Sequence, residues 1–168
     1  MDGVLVDTEP LYIIMNKDFL QQHNAVITDE EYNQFIGISA KKMWCFLQEK
    51  YNLPFSVDEL ISMEKQAKHT ILNESELQPI DGIVDLLVAL KQQNYKIAIA
   101  SSSMKKNVEL IISKTNLTRY FDYIVSGEDI VNGKPAPDIF LKAMHYFNEQ
   151  PENCVVVEDA KNGVIAAN

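Results

Sequence analysis

From Pro79 onward, short apolar runs rich in β-branched residues alternate with stretches of helical periodicity, and few folds accommodate that alternation. The runs are Lys96-Ile-Ala-Ile-Ala100, Tyr123-Ile-Val-Ser126 and Cys154-Val-Val-Val157. Apolar spacing of three and four residues predicts helices over about 82–93, 104–114, 136–147 and from about 160. Strands separated by helices pair in parallel, and helices then cover both faces of the sheet. The expected fold class is therefore α/β, with a Rossmann-like parallel sheet as its core.

The preceding residues have a different texture. From Glu9 to about Ser75 the periodicity is helical throughout, as in Leu11, Met15, Phe19 and then Met43, Phe46, Leu47. Two segments open with capping-box spacing, Thr28-x-x-Glu31 and Ser56-x-x-Glu59. Pro79 and Asp81-Gly82 then interrupt the pattern. The layout predicted is an α/β core of residues 1–11 and 79–168, interrupted by a helical insert over 12–78.

At 168 residues and 46% hydrophobic content the chain can bury a sizeable core. No apolar stretch approaches the roughly 18 residues of a membrane span, and the N-terminus carries no secretory pattern. The expected location is the cytoplasm. A net charge of −9, with Lys and Arg in no block, argues against nucleic acid as a partner. An anionic substrate must then be held by a few local donors. Cys45 and Cys154 lack metal-ligand spacing, and Cys154 is expected to be a buried free thiol at the start of a strand.

In open α/β sheets functional groups gather at the carboxyl ends of the strands, and three candidates fall there. Ser101 follows the first run and precedes a helix, so its hydroxyl and the amides of Ser102 and Ser103 can bind phosphate oxygens; a helix cap is the plain alternative. Lys134, in Gly133-Lys-Pro-Ala-Pro-Asp138, can reach an anion from a stiff loop, or can be a solvated lysine. Glu158 and Asp159 place adjacent carboxylates after a buried run, a costly pairing unless a cation neutralises it. Oxygen ligands suit Mg²⁺; helix-cap acids are the alternative. Asp7 and Thr8 read as the N-cap of the first helix. His23, His69 and His145 share no ligand spacing and are expected at the surface, and Trp44 is expected in packing.

These motifs, together with Met1-Asp-Gly-Val-Leu-Val-Asp-Thr8, resemble those of the haloacid dehalogenase superfamily in their order along the chain. That family's first motif is Asp-x-Asp-Gly-x-x-x-Asp-(Thr/Ser), in which Met1 takes the x and Asp2 the second Asp. The resemblance implies a nucleophilic Asp immediately before Met1, Asp2 as general acid and base, and Ser101, Ser102 and Lys134 on the phosphoryl group. It also implies Mg²⁺ on the nucleophile, the backbone carbonyl of Asp2, Asp159 and Glu158, the last directly or through water. The reaction implied is hydrolysis of a small phosphorylated metabolite, a sugar phosphate or phosphoglycolate-like compound, through an aspartyl-phosphate. The branch most similar has a helical cap and holds β-phosphoglucomutase as well as phosphatases. Tyr12 stands where the mutases carry His and Ala40 where they carry Arg, which favours the phosphatase. The alternatives are a β-phosphoglucomutase-type phosphotransferase and an inactive fragment or pseudoenzyme. Against the family pattern the chain is expected to be truncated at both ends, poorly stable, and without turnover unless its nucleophile is restored. Gly37, Lys41 and Lys42 are the expected cap contacts to substrate.

Overall fold

A computed structural model describes every residue except Ile36 and Gly37, so the expectation for Gly37 lies outside the described residues. The chain divides into two compact units, Met1–Thr8 with Ser75–Asn168, and Glu9–Glu74.

The second unit is helical: α1 (Glu9–Gln22), α2 (Asp29–Asn33), α3 (Ala40–Tyr51) and α4 (Val57–Glu74). The Ser56 box closes in both directions, because Glu59 accepts from the Ser56 amide at 2.8 Å while the Glu59 amide donates to Ser56 Oγ at 3.3 Å. At Thr28 only half of the box forms. Thr28 Oγ1 accepts from the Glu31 amide, whereas the Glu31 carboxylate turns to Lys50 and Tyr51. Leu20, Trp44, Leu47 and Leu60 fill the interior. Two polar pairs are buried with them: Asn16 donates to the Tyr32 hydroxyl at 2.6 Å, and Trp44 Nε1 donates to Glu64 Oε2 at 2.7 Å. Lys68 closes on Glu64 Oε1 at 2.8 Å, so the buried carboxylate is both hydrogen-bonded and charge-balanced. Burial pushes the Tyr32 hydroxyl pKa up, and Glu64 and Glu9 add to it against the bond from Asn16. Lys41 and Lys42 lie exposed in the first turn of α3. His23 is packed between the rings of Phe19 and Phe55, at 4.7 and 5.0 Å, and is half-buried where the sequence suggests the surface.

In the first unit, β1 (Ala98–Ser101) and β2 (Tyr123–Ser126) pair in parallel with Ala98 opposite Tyr123 and Ser101 opposite Ser126. The helices are α5 (Ile83–Gln92), α6 (Lys105–Lys114), α7 (Asp138–Phe147) and α8 (Lys161–Ala167). Leu5, Leu87, Ile99, Val108, Ile112 and Leu117 form one cluster, and α7 packs on both strands. This is the α/β class with a parallel sheet that the alternation predicts. The N-terminal segment joins the unit through a tight turn, in which Leu5 N bonds to the Met1 carbonyl at 2.7 Å and Ile80 N to the Leu5 carbonyl at 2.9 Å.

The predicted strand over 154–157 is not a strand here. These residues carry no ladder to β1 or β2 among the described residues, and Val155 and Val157 are 91% and 65% exposed. A strand exists only through a neighbour's hydrogen bonds, which apolar composition alone cannot supply. Cys154 is accordingly exposed rather than buried.

Candidate functional site

Each candidate is positioned by a local feature of the first unit. Gly3 adopts φ +70°, a conformation favouring glycine, and lets the chain turn back so that Gly3 N reaches the Val6 carbonyl at 2.8 Å. That turn brings Thr8 beside Asp2. Thr8 Oγ1, fully buried, donates to Asp2 Oδ1 at 2.6 Å, and Ser103 Oγ donates to Asp2 Oδ2 at 3.2 Å. Thr8 therefore serves the Asp2 carboxylate with the hydroxyl that the sequence assigns to a helix cap.

Ser101 ends β1 and is buried; its Oγ accepts from the Ser103 amide at 3.2 Å. Ser102 is exposed beside it. The loop is held from the far side by Gly127, whose amide donates to the Ser103 carbonyl at 3.2 Å. A methyl group on Gly127 would stand 2.4 Å from the Ser102 carbonyl oxygen, so only glycine permits this approach.

Lys134 Nζ lies 2.7 Å from Glu158 Oε2 and 3.3 Å from the Ala100 carbonyl, at the end of β1. The two charged side chains are 12% and 10% exposed, which makes this ion pair much drier than the surface pairs. Burial by itself pushes the Glu158 carboxyl up. The hydrogen bonds from Lys134 and the Ala160 amide, with the charge of Lys134, outweigh it and hold the carboxyl below the usual range. Asp159 packs its carboxylate against Gly3, where a methyl group would come within 1.9 Å of Oδ2.

These groups lie beyond the end of β1: Asp2 is tied to Ser103, Lys134 to the Ala100 carbonyl and Glu158, and Asp159 to the Gly3 turn. The structure thus gathers Asp2, Ser101, Lys134, Glu158 and Asp159 into the first unit, within one neighbourhood of the strand ends. A ready-made cluster of three or more His, Cys, Asp or Glu side chains able to hold a metal is absent among the described residues. The donor set present is nevertheless oxygen-rich: two adjacent carboxylates, one of them against the Asp2–Gly3 turn. It fits a hard cation that takes its remaining ligands from main-chain oxygen, substrate and water.

Sequence reasoning missed Thr8 and Ser103 as partners of Asp2. Thr8 carried a signal, since it stands six residues beyond Asp2 across a Gly turn; Ser103, more than a hundred residues away, carried none.

Comparison with known proteins identifies the family. The model of the haloacid dehalogenase-like hydrolases matches residues 1–168. A phosphorylated carbohydrates phosphatase of Thermotoga maritima is 30% identical over 99% of this chain and 77% of its own length. A protein of Drosophila melanogaster named a probable pseudouridine-5'-phosphatase is 34% identical over 100% of this chain and 74% of its own. Among solved structures, a haloacid dehalogenase hydrolase of family IA, variant 3, from Entamoeba histolytica superposes with a TM-score of 0.84 at 28% identity, covering 99% of this chain and 76% of that one. The chain belongs to the haloacid dehalogenase-like hydrolase family.

Proposed function

We propose that this protein is a Mg²⁺-dependent phosphatase that hydrolyses a small phosphorylated metabolite, a sugar phosphate or a compound like phosphoglycolate. The chain is a phosphoric monoester hydrolase of its family, as relatives named phosphatases support. The observation that supports the finer reading is the gathering of four groups beyond the end of β1: Asp2 on Ser103, Lys134 on the Ala100 carbonyl and on Glu158, and Asp159 against Gly3. A carboxylate on the residue preceding Met1 would adjoin these groups, and a nucleophilic Asp is the residue proposed there. Attack forms a bond from the carboxylate oxygen to phosphorus as the ester bond breaks; hydrolysis of the acyl phosphate then releases inorganic phosphate.

In this reading Asp2 protonates the departing alkoxide and afterwards takes a proton from the attacking water. Ser101, with the main chain at Ser102, orients the phosphoryl oxygens. Lys134 offsets their charge and holds Glu158 in place. Asp159, the Asp2 carbonyl and Glu158 would hold Mg²⁺, which when bound supplies charge neutralisation at the phosphoryl group.

The test is turnover of sugar phosphates by a form of the chain extended at its N-terminus to carry the preceding Asp. Phosphate release that requires Mg²⁺, stops with EDTA and falls at least about a hundredfold in Asp2→Asn is expected. Absence of turnover on any phosphate ester would sink the reading. Conversion of β-glucose 1-phosphate to glucose 6-phosphate without phosphate release would replace it with the mutase.

A further inference from the structure

The two carboxylate oxygens of Asp2 are served by two hydroxyls from distant parts of the sequence, Thr8 on Oδ1 at 2.6 Å and Ser103 on Oδ2 at 3.2 Å. A donor on each oxygen restrains the plane of a carboxylate more closely than a donor on one oxygen does. Ser103 is itself anchored at both ends. Its amide donates to Ser101 Oγ at 3.2 Å and its carbonyl accepts from Gly127 N at 3.2 Å. The chain leaves β1 at Ser101 and β2 at Ser126, so the ends of both strands fix the position of the Ser103 hydroxyl.

The geometry points to Ser103 as a positioning residue for Asp2: its hydroxyl sets the plane of the carboxyl group that, when protonated, gives its proton to the leaving group, instead of binding the transferred phosphoryl group. This rests on the reading of Asp2 as proton donor. A proton transferred to a leaving oxygen must arrive along a short, directed contact, and misplacement of the donor by about an ångström costs rate without weakening substrate binding. Ser101 and Ser103 therefore divide the work of one loop, Ser101 toward phosphate and Ser103 toward the acid.

The readout is how the loss depends on the leaving group. p-Nitrophenolate departs without a proton, while a sugar alkoxide needs one. In the N-terminally extended protein, Ser103→Ala is expected to lower kcat/KM for glucose 6-phosphate roughly tenfold and for p-nitrophenyl phosphate less than about twofold. Ser103→Thr, which keeps the hydroxyl, is expected to restore the alkyl ester. Equal losses on both esters would make Ser103 a phosphate ligand, and no loss would make it a bystander; either overturns the inference. Asp2→Asn run in parallel separates the two levels. An alkyl-selective loss in Asp2→Asn but not in Ser103→Ala sinks the role of Ser103 alone, and its absence in Asp2→Asn sinks the reading of Asp2. A crystal structure of the Ser103→Ala chain gives a readout independent of turnover: a reoriented Asp2 carboxylate supports the inference, and an unmoved one overturns it.

Discussion

A methyl group added at Gly163 would stand 2.1 Å from Cδ of Glu158. The first turn of α8 is therefore packed against the very side chain that pairs with Lys134. The atoms in the way belong to the end of a flexible side chain, so the fold can yield and the site cannot. Gly163→Ala is expected to keep a cooperative melt, to turn Glu158 away from Lys134, and to lower the activity of the extended protein about tenfold. Thermal melting beside Mg²⁺-dependent turnover checks it; a tenfold activity loss caused by general unfolding would contradict the expectation.

Gly127 presents the opposite case. There the obstacle is the Ser102 carbonyl, 2.4 Å from the position of a methyl group, and backbone cannot step aside cheaply. Gly127→Ala is expected to destabilise the first unit by about 1–3 kcal/mol. Chemical denaturation would show the midpoint falling.

Replacing Lys134 by Met removes the counter-charge from a carboxylate that is 10% exposed. A buried charge left alone costs about 3–5 kcal/mol in the fully buried limit. The remaining exposure and the Ala160 amide, 3.1 Å from Glu158 Oε1, reduce that, so a loss of about 2 kcal/mol is expected at neutral pH. Adding Glu158→Gln to the same chain should return most of it, since no lone charge then remains. A double-mutant cycle measures this directly.

Asp122 gives a pH signature away from the site. Lys91 holds both of its oxygens at 2.8 Å, and with the Ile97 amide keeps the carboxyl below its ordinary value of 3.8 against a small burial effect. A lowered folded pKa stabilises the fold above the unfolded value, and the contribution is lost as pH falls from near 3.8 through the lower folded value. Because the pair is well solvated, Asp122→Asn should cost only about 0.5 kcal/mol at pH 7. Its stability gap to the parent chain should narrow as pH falls below 3.8 and close once pH is below the folded value, and a gap that persists undiminished in acid would contradict the assignment.

How much of this could be read from the residues depended on how local each determinant is. The α/β class, both strand positions and the helix starts follow from periodicity and caps within a dozen residues, and Ser56–Glu59 closes as its spacing says. Ser101, Lys134, Glu158 and Asp159 could be singled out because each follows an apolar run or sits in a stiff loop. The run Cys154–Val157 failed because pairing is a property of two segments, and its composition describes only one. Ser103 was hidden for the same reason: nothing near it in sequence announces that Asp2 will be its neighbour. Thr8 was read by its nearest helix although its hydroxyl turned the other way.

Trp44, the sole tryptophan of the sequence, is buried in the helical unit with its indole N–H committed to Glu64. The α/β unit holds none. Indole emission is therefore an intrinsic reporter of one unit only, whereas circular dichroism registers both. If the two signals separate during denaturation, the helices of Glu9–Glu74 come apart on their own schedule, and the protein can be watched half at a time without attaching a label.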